Sequence, residues 1–131
     1  MTAFFDSNVL IYGLQDNAAH AGIANRLIGS GGWISVQVLN EVANVLRGKL
    51  LQDWSKIKQA LLAYRSSLAV LPLTVSTHQR GLAVAERHRL AIYDAMIVAA
   101  ALEAGCDTLY SEDMHHGLVV DGRLTVVNPF A

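Results

Sequence analysis

The sequence predicts a single α/β domain whose helices pack on a central, mostly parallel sheet. Three observations predict it. Apolar residues alternate between short β-like runs and longer stretches with helical spacing, which is the pattern of strand–helix units. The chain has 131 residues, 53% of them hydrophobic and 16% charged, enough for one core but not for two. It contains only two prolines, Pro72 and Pro129, with no Ser/Gly-rich linker, internal repeat or low-complexity tract to divide residues 1–131.

Each element has a local reason. Ala3-Phe4-Phe5 reads as the first strand, ended by Asp6-Ser7-Asn8, residue types that favour turns and helix N-caps. A short helix follows over Val9 to Leu14. A second runs from Ala18 to Ile28, pairing Ile23 with Leu27 and Ala24 with Ile28, and closes at Gly29-Ser30-Gly31-Gly32. Trp33-Ile34-Ser35-Val36 is the second strand, and Gln37 to Leu46 the helix after it, stopped by Gly48. Asp53 or Ser55 caps a helix that runs to Ala69 with Ile57, Leu61, Leu62, Tyr64 and Leu68 inward. A short strand lies between Val70 and Val75, and Pro72 places it at a sheet edge. Thr77 to Arg89 is helical, with Leu82, Val84 and Ala85 inward and His78, Arg80, Arg87, His88 and Arg89 outward. Ala95 to Ala104 is apolar on every side, as a buried central helix must be, and Gly105 stands where a left-handed cap belongs. Thr108-Leu109-Tyr110 is a strand leading into a loop from Ser111 to Gly117. The Asp121-Gly122 turn precedes the last strand, Leu124 to Val127.

Composition excludes several classes of function. With mean hydropathy +0.33, the chain is not intrinsically disordered. Its longest apolar run, Ala95 to Leu102, falls far short of the ~20 residues that span a bilayer, so no membrane role is expected. Asp6 interrupts the opening apolar stretch too early for a secretory signal, and the single cysteine, Cys106, cannot form an internal disulfide. A cytoplasmic location is expected. Net charge −1 and pI near 6.5 exclude a strongly basic nucleic-acid coat, though not a local basic patch.

The eleven acidic residues are few enough to weigh singly. Asp16 sits in a polar turn, Asp53 caps a helix, Glu86 and Glu103 fit solvated helix faces, Asp107 starts a strand, and Asp121 makes a turn. Asp6, Glu41, Asp94 and the pair Glu112/Asp113 are harder to dismiss. Asp6 follows an apolar strand, and the carboxyl ends of parallel strands form the rim where ligands bind; an N-cap or Asx-turn explains it equally well. Asp113 falls just past another strand, at the same rim if both run parallel, or in a solvated loop. Glu41 lies about 100° from the centre of the stripe Val38, Leu39, Val42, Val45 and Leu46, on its flank. There it either leans over a cleft or is an ordinary boundary residue. Asp94 opens the most hydrophobic helix, where N-capping is a sufficient reason for it. A helix so buried nevertheless begins inside the fold, where a carboxylate needs hydrogen bonds or a cation.

Three or four carboxylates gathered at one sheet edge repel each other and stay ionised only when cations neutralise them. An all-oxygen set favours a hard ion, Mg²⁺ or Mn²⁺, over zinc. Such ions activate water and stabilise the leaving oxygen in phosphodiester cleavage.

Four segments, Phe5-Asp6-Ser7-Asn8-Val9-Leu10-Ile11-Tyr12, Leu39-Asn40-Glu41-Val42, Tyr93-Asp94-Ala95-Met96-Ile97-Val98-Ala99-Ala100-Ala101 and Gly105-Cys106-Asp107-Thr108-Leu109-Tyr110-Ser111-Glu112-Asp113-Met114, together resemble the PIN-domain ribonucleases. With the ending Val127-Asn128-Pro129-Phe130, the chain is similar more narrowly to VapC-type bacterial toxins, over essentially its whole length. The resemblance implies a three-layer PIN-like fold and a metal-dependent endoribonuclease that cuts RNA by in-line water attack, leaving a 5′-phosphate. It would act as the toxin of a type II toxin–antitoxin pair. Its first three acids match Asp6, Glu41 and Asp94. The fourth matches Asp113 best, with Glu112 as a fallback ligand or outer partner, and Asn8 and Ser111 match supporting positions that orient carboxylates or water. Mg²⁺ or Mn²⁺ is the implied cofactor; RNA, a cognate antitoxin that obstructs the pocket and a second copy in a homodimer are the implied partners.

RNA needs cations, and the chain has ten Lys and Arg. Arg47, Lys49, Lys56, Lys58 and Arg65 cluster near the Glu41 helix, as a phosphate-binding stripe or as a solvated face. Trp54 and Tyr64 have the chemistry to stack bases, or belong to core or dimer contacts. His115-His116 are adjacent and so rarely aim at one ion, which disfavours zinc; contact with RNA or a partner fits better, and a solvated loop is the simplest account. Cys106 reads as a small buried hydrophobe. Three rivals remain. A receiver domain requires a late lysine, and none follows Lys58. A haloacid-dehalogenase-type phosphatase requires a second aspartate where Asn8 stands. A catalytically inactive PIN-like RNA-binding module would not need the full acidic quartet.

Overall fold

The structure, a computed structural model, describes residues 1–131. In chain order it contains β1 (Ala3–Phe5), α1 (Ser7–Gly13), α2 (Ala18–Gly29), β2 (Trp33–Ser35), α3 (Val36–Gly48), α4 (Trp54–Ser67), β3 (Ala69–Leu71), α5 (Val75–His88), α6 (Ile92–Glu103), β4 (Thr108–Tyr110), β5 (Val119–Val120) and β6 (Leu124–Val127). The six strands form one sheet in the order β3-β2-β1-β4-β6-β5, flanked by the six helices. All neighbours pair parallel except the β5–β6 hairpin, so the mostly parallel α/β architecture is as expected.

The strand order fixes where a ligand can bind. From β1 the chain winds outward through β2 to β3, then returns to the other side of β1 with β4 and β6. The winding direction therefore reverses between β1 and β4, and the crevice of an open parallel sheet lies beyond the carboxyl ends of the strands at that reversal. In register, Phe5 pairs with Tyr110, which sets Asp6 beside Ser111 at the crevice mouth. The Asp6 amide donates to the Tyr110 carbonyl at 3.0 Å, extending the ladder by one rung.

The core forms where the apolar runs predict it. Phe4, Phe5, Ile34, Leu109, Leu124 and Val126 bury the strands, and every residue from Ala95 to Leu102 on α6 is buried. A helix apolar on all sides can only occupy the interior. Helix α5 lies unusually close to it, because a Cβ at Gly81 would stand only 2.5 Å from the Met96 sulfur. At the end of α6, Gly105 takes φ +73°, the left-handed value that glycine adopts without strain.

Several expected details are corrected. On α5 the buried stripe is Thr77, Gly81 and Val84, whereas Leu82 is exposed. Close backbone contact at Gly81 decides which side faces α6, and Leu82, one residue on, is rotated away. On α4, Leu62 is exposed while Ile57, Tyr64 and Leu68 are buried, since Leu61 and not Leu62 shares their face. The strand after α4 covers Ala69–Leu71, just ahead of Pro72, at the sheet edge. β5 was not expected: Val119 and Val120 pair with β6 through the Asp121-Gly122 turn, whose two residues take φ 54° and 66°. Glu103 is not on a solvated face. One of its oxygens accepts from the Thr77 hydroxyl at 2.9 Å, and the other is buried without a partner. No helix is long and apolar enough to cross a membrane.

Candidate active site

Local folding puts each acid on the rim for its own reason. Asp6 ends β1 and caps α1, its Oδ1 accepting from the Ser7 amide at 2.7 Å. Glu41 lies in α3, which begins directly after β2 and is capped by Ser35. Asp94 sits in the first turn of α6, and α6 ends just before β4. A helix that runs antiparallel to the following strand has its N-terminus at that strand's carboxyl end, so Asp94 reaches the same rim. Asp113 lies in the loop after β4.

One expectation about Asp94 changes. It is not the N-cap of α6, which starts at Ile92 with Ala91 as a cap that makes no side-chain bond. Asp94 therefore has no capping duty. Its carboxylate lies in the first helical turn, where the helix dipole favours negative charge.

Neutral donors tie the acids together. Asp6 is 2% exposed. Its Oδ2 accepts from the Ser111 hydroxyl at 2.7 Å and from Asn8 Nδ2 at 3.3 Å. The same Asn8 amide donates to Asp113 Oδ2 at 3.2 Å, linking the first and fourth acids. The Ser7 hydroxyl donates to Glu41 Oε1 at 2.9 Å and lies 3.4 Å from Asp6 Oδ1, linking the first and second. Gln37 holds the other Glu41 oxygen from Nε2 at 3.0 Å. Ser111 also accepts from the Met114 amide at 3.3 Å, which fixes its hydroxyl. Glu112 lines the same cavity as Glu41 and Asp113 but is held by other partners. It accepts from the Tyr12 hydroxyl at 3.1 Å, while its own amide donates to Asn8 Oδ1.

The electrostatics follow from this crowding. Burial pushes the Asp6 carboxyl up to about 6, against the Ser111 and Ser7 hydrogen bonds that lower it, and the charges of Glu41 and Asp94 add to the rise. Asp94 is raised as well, by burial first and then by Glu41 and Asp113. Lysine or arginine pairs with none of the four. The one ion pair of the chain, Arg80 with Asp121 at 3.7 Å, involves none of them. As the side chains stand, no three His, Cys, Asp or Glu residues form a closed ligand cluster. Ser7 stands between Asp6 and Glu41, and Asn8 between Asp6 and Asp113. Beside them opens a cavity of about 440 Å³ whose walls include Asn8, Tyr12, Glu41, Asn44, Lys49 and Asp113.

The basic stripe reaches this cavity only at Lys49. Arg47 is engaged locally, 4.9 Å over the Trp54 ring and donating to the Gln52 carbonyl at 3.1 Å. Tyr64 cannot stack a base. It is buried and donates to the Leu10 carbonyl at 2.7 Å, and burial pushes its hydroxyl up to about 12. His115 and His116 are exposed, and His116 Nδ1 accepts from the Asn128 amide at 2.9 Å, holding the C-terminal segment. Phe130 in that segment packs on Tyr12 and His20. The Cys106 thiol is buried and pushed up to about 11, mainly by burial, and so is inert. Ser7 and Gln37 were not anticipated as site residues. The spacing of Gln37 four residues before Glu41 on one helix was the available signal, whereas nothing local marks the reach of Ser7 to residue 41.

A parallel sheet with an acidic, cation-poor crevice at its reversal point defines an α/β domain with a carboxylate-based site. Residues 3–117 match the profile of the PIN domain, and the chain belongs to that family. No curated protein matches it in sequence. Solved structures share its fold. The toxin–antitoxin complex from Klebsiella pneumoniae is 23% identical with TM-score 0.72, covering 98% of both chains. VapC20 of Mycobacterium tuberculosis, described as a sarcin-ricin loop cleaving toxin, is 20% identical with TM-score 0.67, covering 86% of this chain and 90% of that one. DNA-bound VapBC from Salmonella typhimurium is 19% identical with TM-score 0.70, covering 96% of both.

Proposed function

We propose that the protein is a metal-dependent endoribonuclease that hydrolyses RNA phosphodiester bonds by in-line water attack, as the toxin of a toxin–antitoxin pair in the cytoplasm. The observation that carries this reading is the convergence of Asp6, Glu41, Asp94 and Asp113 on one rim with no cation among them. Asp6 is a buried carboxylate raised by burial and further by the charges of Glu41 and Asp94, with no cation paired to it. The oxygen-only donor set around it suits Mg²⁺ or Mn²⁺.

Asp6, Glu41, Asp94 and Asp113 would hold the ion. When bound, it supplies Lewis-acid stabilisation of the phosphate and lowers the pKa of a water. Ser7 bridges Asp6 to Glu41 and Asn8 bridges Asp6 to Asp113, so each of these pairs is separated by no more than two hydrogen bonds laid end to end. Asp94 stands near enough to Glu41 and Asp113 for their charges to add to the rise that its burial causes. Ser111 and the Ser7 amide fix the Asp6 carboxylate in one orientation, and Gln37 does the same for Glu41. Glu112 and Tyr12 brace the loop that carries Asp113. The protein neighbours of similar fold include toxin–antitoxin complexes, which supports an antitoxin partner. A second copy in a homodimer is the further partner of this reading.

Purified protein incubated with structured RNAs, with and without EDTA, tests the reading beside Asp6→Asn and Asp94→Asn. Internal cuts that vanish on chelation and in both variants are expected. Cleavage that survives all three overturns it. Phosphate release from small monoesters with RNA left intact assigns a phosphatase instead.

A further inference from the structure

Glu41 stands on a divide. The acidic cavity lies on one side of it, and a second open cavity of about 400 Å³ lies on the other, lined by Gln37, Asn40, Glu41, Asn44 and Tyr93. Glu41 and Asn44 line both, so the two cavities adjoin across these residues as two ends of one region beside the acids. The chemistry of its two ends differs. The first end holds Lys49, the second no cation at all.

What the second end offers is neutral and directional. Asn40 and Asn44 are exposed, four residues apart on one face of α3, and no hydrogen bond within the chain occupies their amides. Gln37 on the same face is different, being spent on Glu41. Across the cavity Tyr93, the residue before Asp94, is 67% exposed. Free amides present a donor beside an acceptor, the complement of a base edge, and an exposed aromatic ring offers a stacking surface to any base.

Resting on the nuclease reading above, we infer that this second cavity is a nucleobase subsite: Tyr93 stacks the base of an unpaired nucleotide flanking the scissile phosphate, and Asn40 and Asn44 read its edge. Phosphate contacts position a nucleic acid but do not identify its sequence, and this end has no cation for a phosphate. It is therefore where sequence is read, while Lys49 serves the backbone at the other end. The substrate it selects is single-stranded, since a paired base has both faces stacked and its Watson–Crick edge occupied.

Binding and cutting test this separately. Short labelled single-stranded RNAs are titrated by fluorescence anisotropy into the Asp94→Asn protein in Mg²⁺. Cleavage of a randomised single-stranded RNA pool by the otherwise unaltered chain is read by sequencing the ends. Tyr93→Ala is expected to weaken binding roughly tenfold and Tyr93→Phe to stay within about twofold, because stacking needs the ring and not the hydroxyl. Asn40→Ala and Asn44→Ala are expected to flatten the base preference at one position beside the cut and leave other positions unchanged. Unchanged binding and preference in these variants overturn the subsite. So does a Tyr93→Ala protein whose sedimentation mass falls while RNA binding holds, which makes this face a contact between copies. If the unaltered chain cuts no RNA, the nuclease reading fails, and the binding arm still decides whether Tyr93 and the asparagines hold a base.

Discussion

Asp6→Asn is expected to stabilise the metal-free protein at pH 8 and to destroy its nuclease activity. Asp6 has its carboxyl pushed from 3.8 to about 6 in the folded chain. The sign follows from linkage: a raised folded value means that the folded state binds the proton more tightly than the unfolded state. Stability from Asp6 is thus fully present below pH 3.8 and lost as pH rises through about 6. Above that, holding the charged carboxylate in the fold costs about 3 kcal/mol, at 1.36 kcal/mol per unit. Asparagine carries no charge and recovers this. It also disturbs hydrogen bonds, because Asp6 accepts from Ser111 and Asn8 at Oδ2, where the amide nitrogen of asparagine cannot accept. The Ser111 hydroxyl can turn to accept, whereas the Asn8 amide loses its bond, a loss of about 1 kcal/mol.

The net gain at pH 8 in EDTA is about 1–2 kcal/mol, or roughly 3–8 °C in Tm for a domain of this size. Below pH 4 the ionic term disappears and only the lost hydrogen bond remains, so the variant is then the less stable of the two. Thermal or urea unfolding in EDTA at pH 4 and pH 8 measures both limits. On the proposed reading, Mg²⁺ added at pH 8 is expected to stabilise the natural chain by mass action, and the variant by less. A variant less stable than the natural chain at pH 8, or a stability difference that ignores pH, would refute the reasoning.

Other perturbations separate the site from its supports. Ser111→Ala removes the 2.7 Å bond to Asp6 and the anchor for the Met114 amide, and a Mg²⁺ titration of cleavage should show half-saturation moved up roughly 10–100-fold; an unchanged midpoint counts against a positioning role. Tyr64→Phe strands the buried Leu10 carbonyl and should cost about 1–2 kcal/mol in urea unfolding while cleavage by the folded protein holds. Gly32→Ala sets a Cβ 2.7 Å from the Ala3 carbonyl oxygen and 2.8 Å from the Phe5 ring at φ 152°, and should lower stability by about 2–3 kcal/mol, seen as an earlier urea midpoint with an unchanged slope.

The sequence made the strands and the buried helix legible because their signals are local. Phe4 and Phe5 stop at Asp6, and Ala95 to Leu102 has no polar side that could face water. It hid what depends on a distant partner. Val119 and Val120 are a strand only because β6 supplies the rung beside them. Leu82 and Gly81 exchange the expected inward position because Met96 on another helix leaves no room for a side chain. Asp94 reads as a cap from its position before an apolar run, yet the helix starts at Ile92, and the freed carboxylate is the more available for an ion.

The same division runs through the site. Carboxylates at strand ends and helix starts can be read from sequence, since position in an element fixes which rim they reach. The neutral groups between them cannot, although they decide how the rim behaves without an ion. Ser7 joins residues 6 and 41, and Asn8 joins residues 6 and 113, across separations that only the parallel pairing of β1 with β4 and the packing of α3 on α1 bring together. Ser111 and the Ser7 amide lower Asp6, but burial outweighs them and the charges of Glu41 and Asp94 add to it, so Asp6 remains raised. The ion-free fold therefore carries a destabilising charge at Asp6, and a divalent ion bound at the proposed site would relieve it, so the residues that weaken the fold are those the nuclease reading makes catalytic.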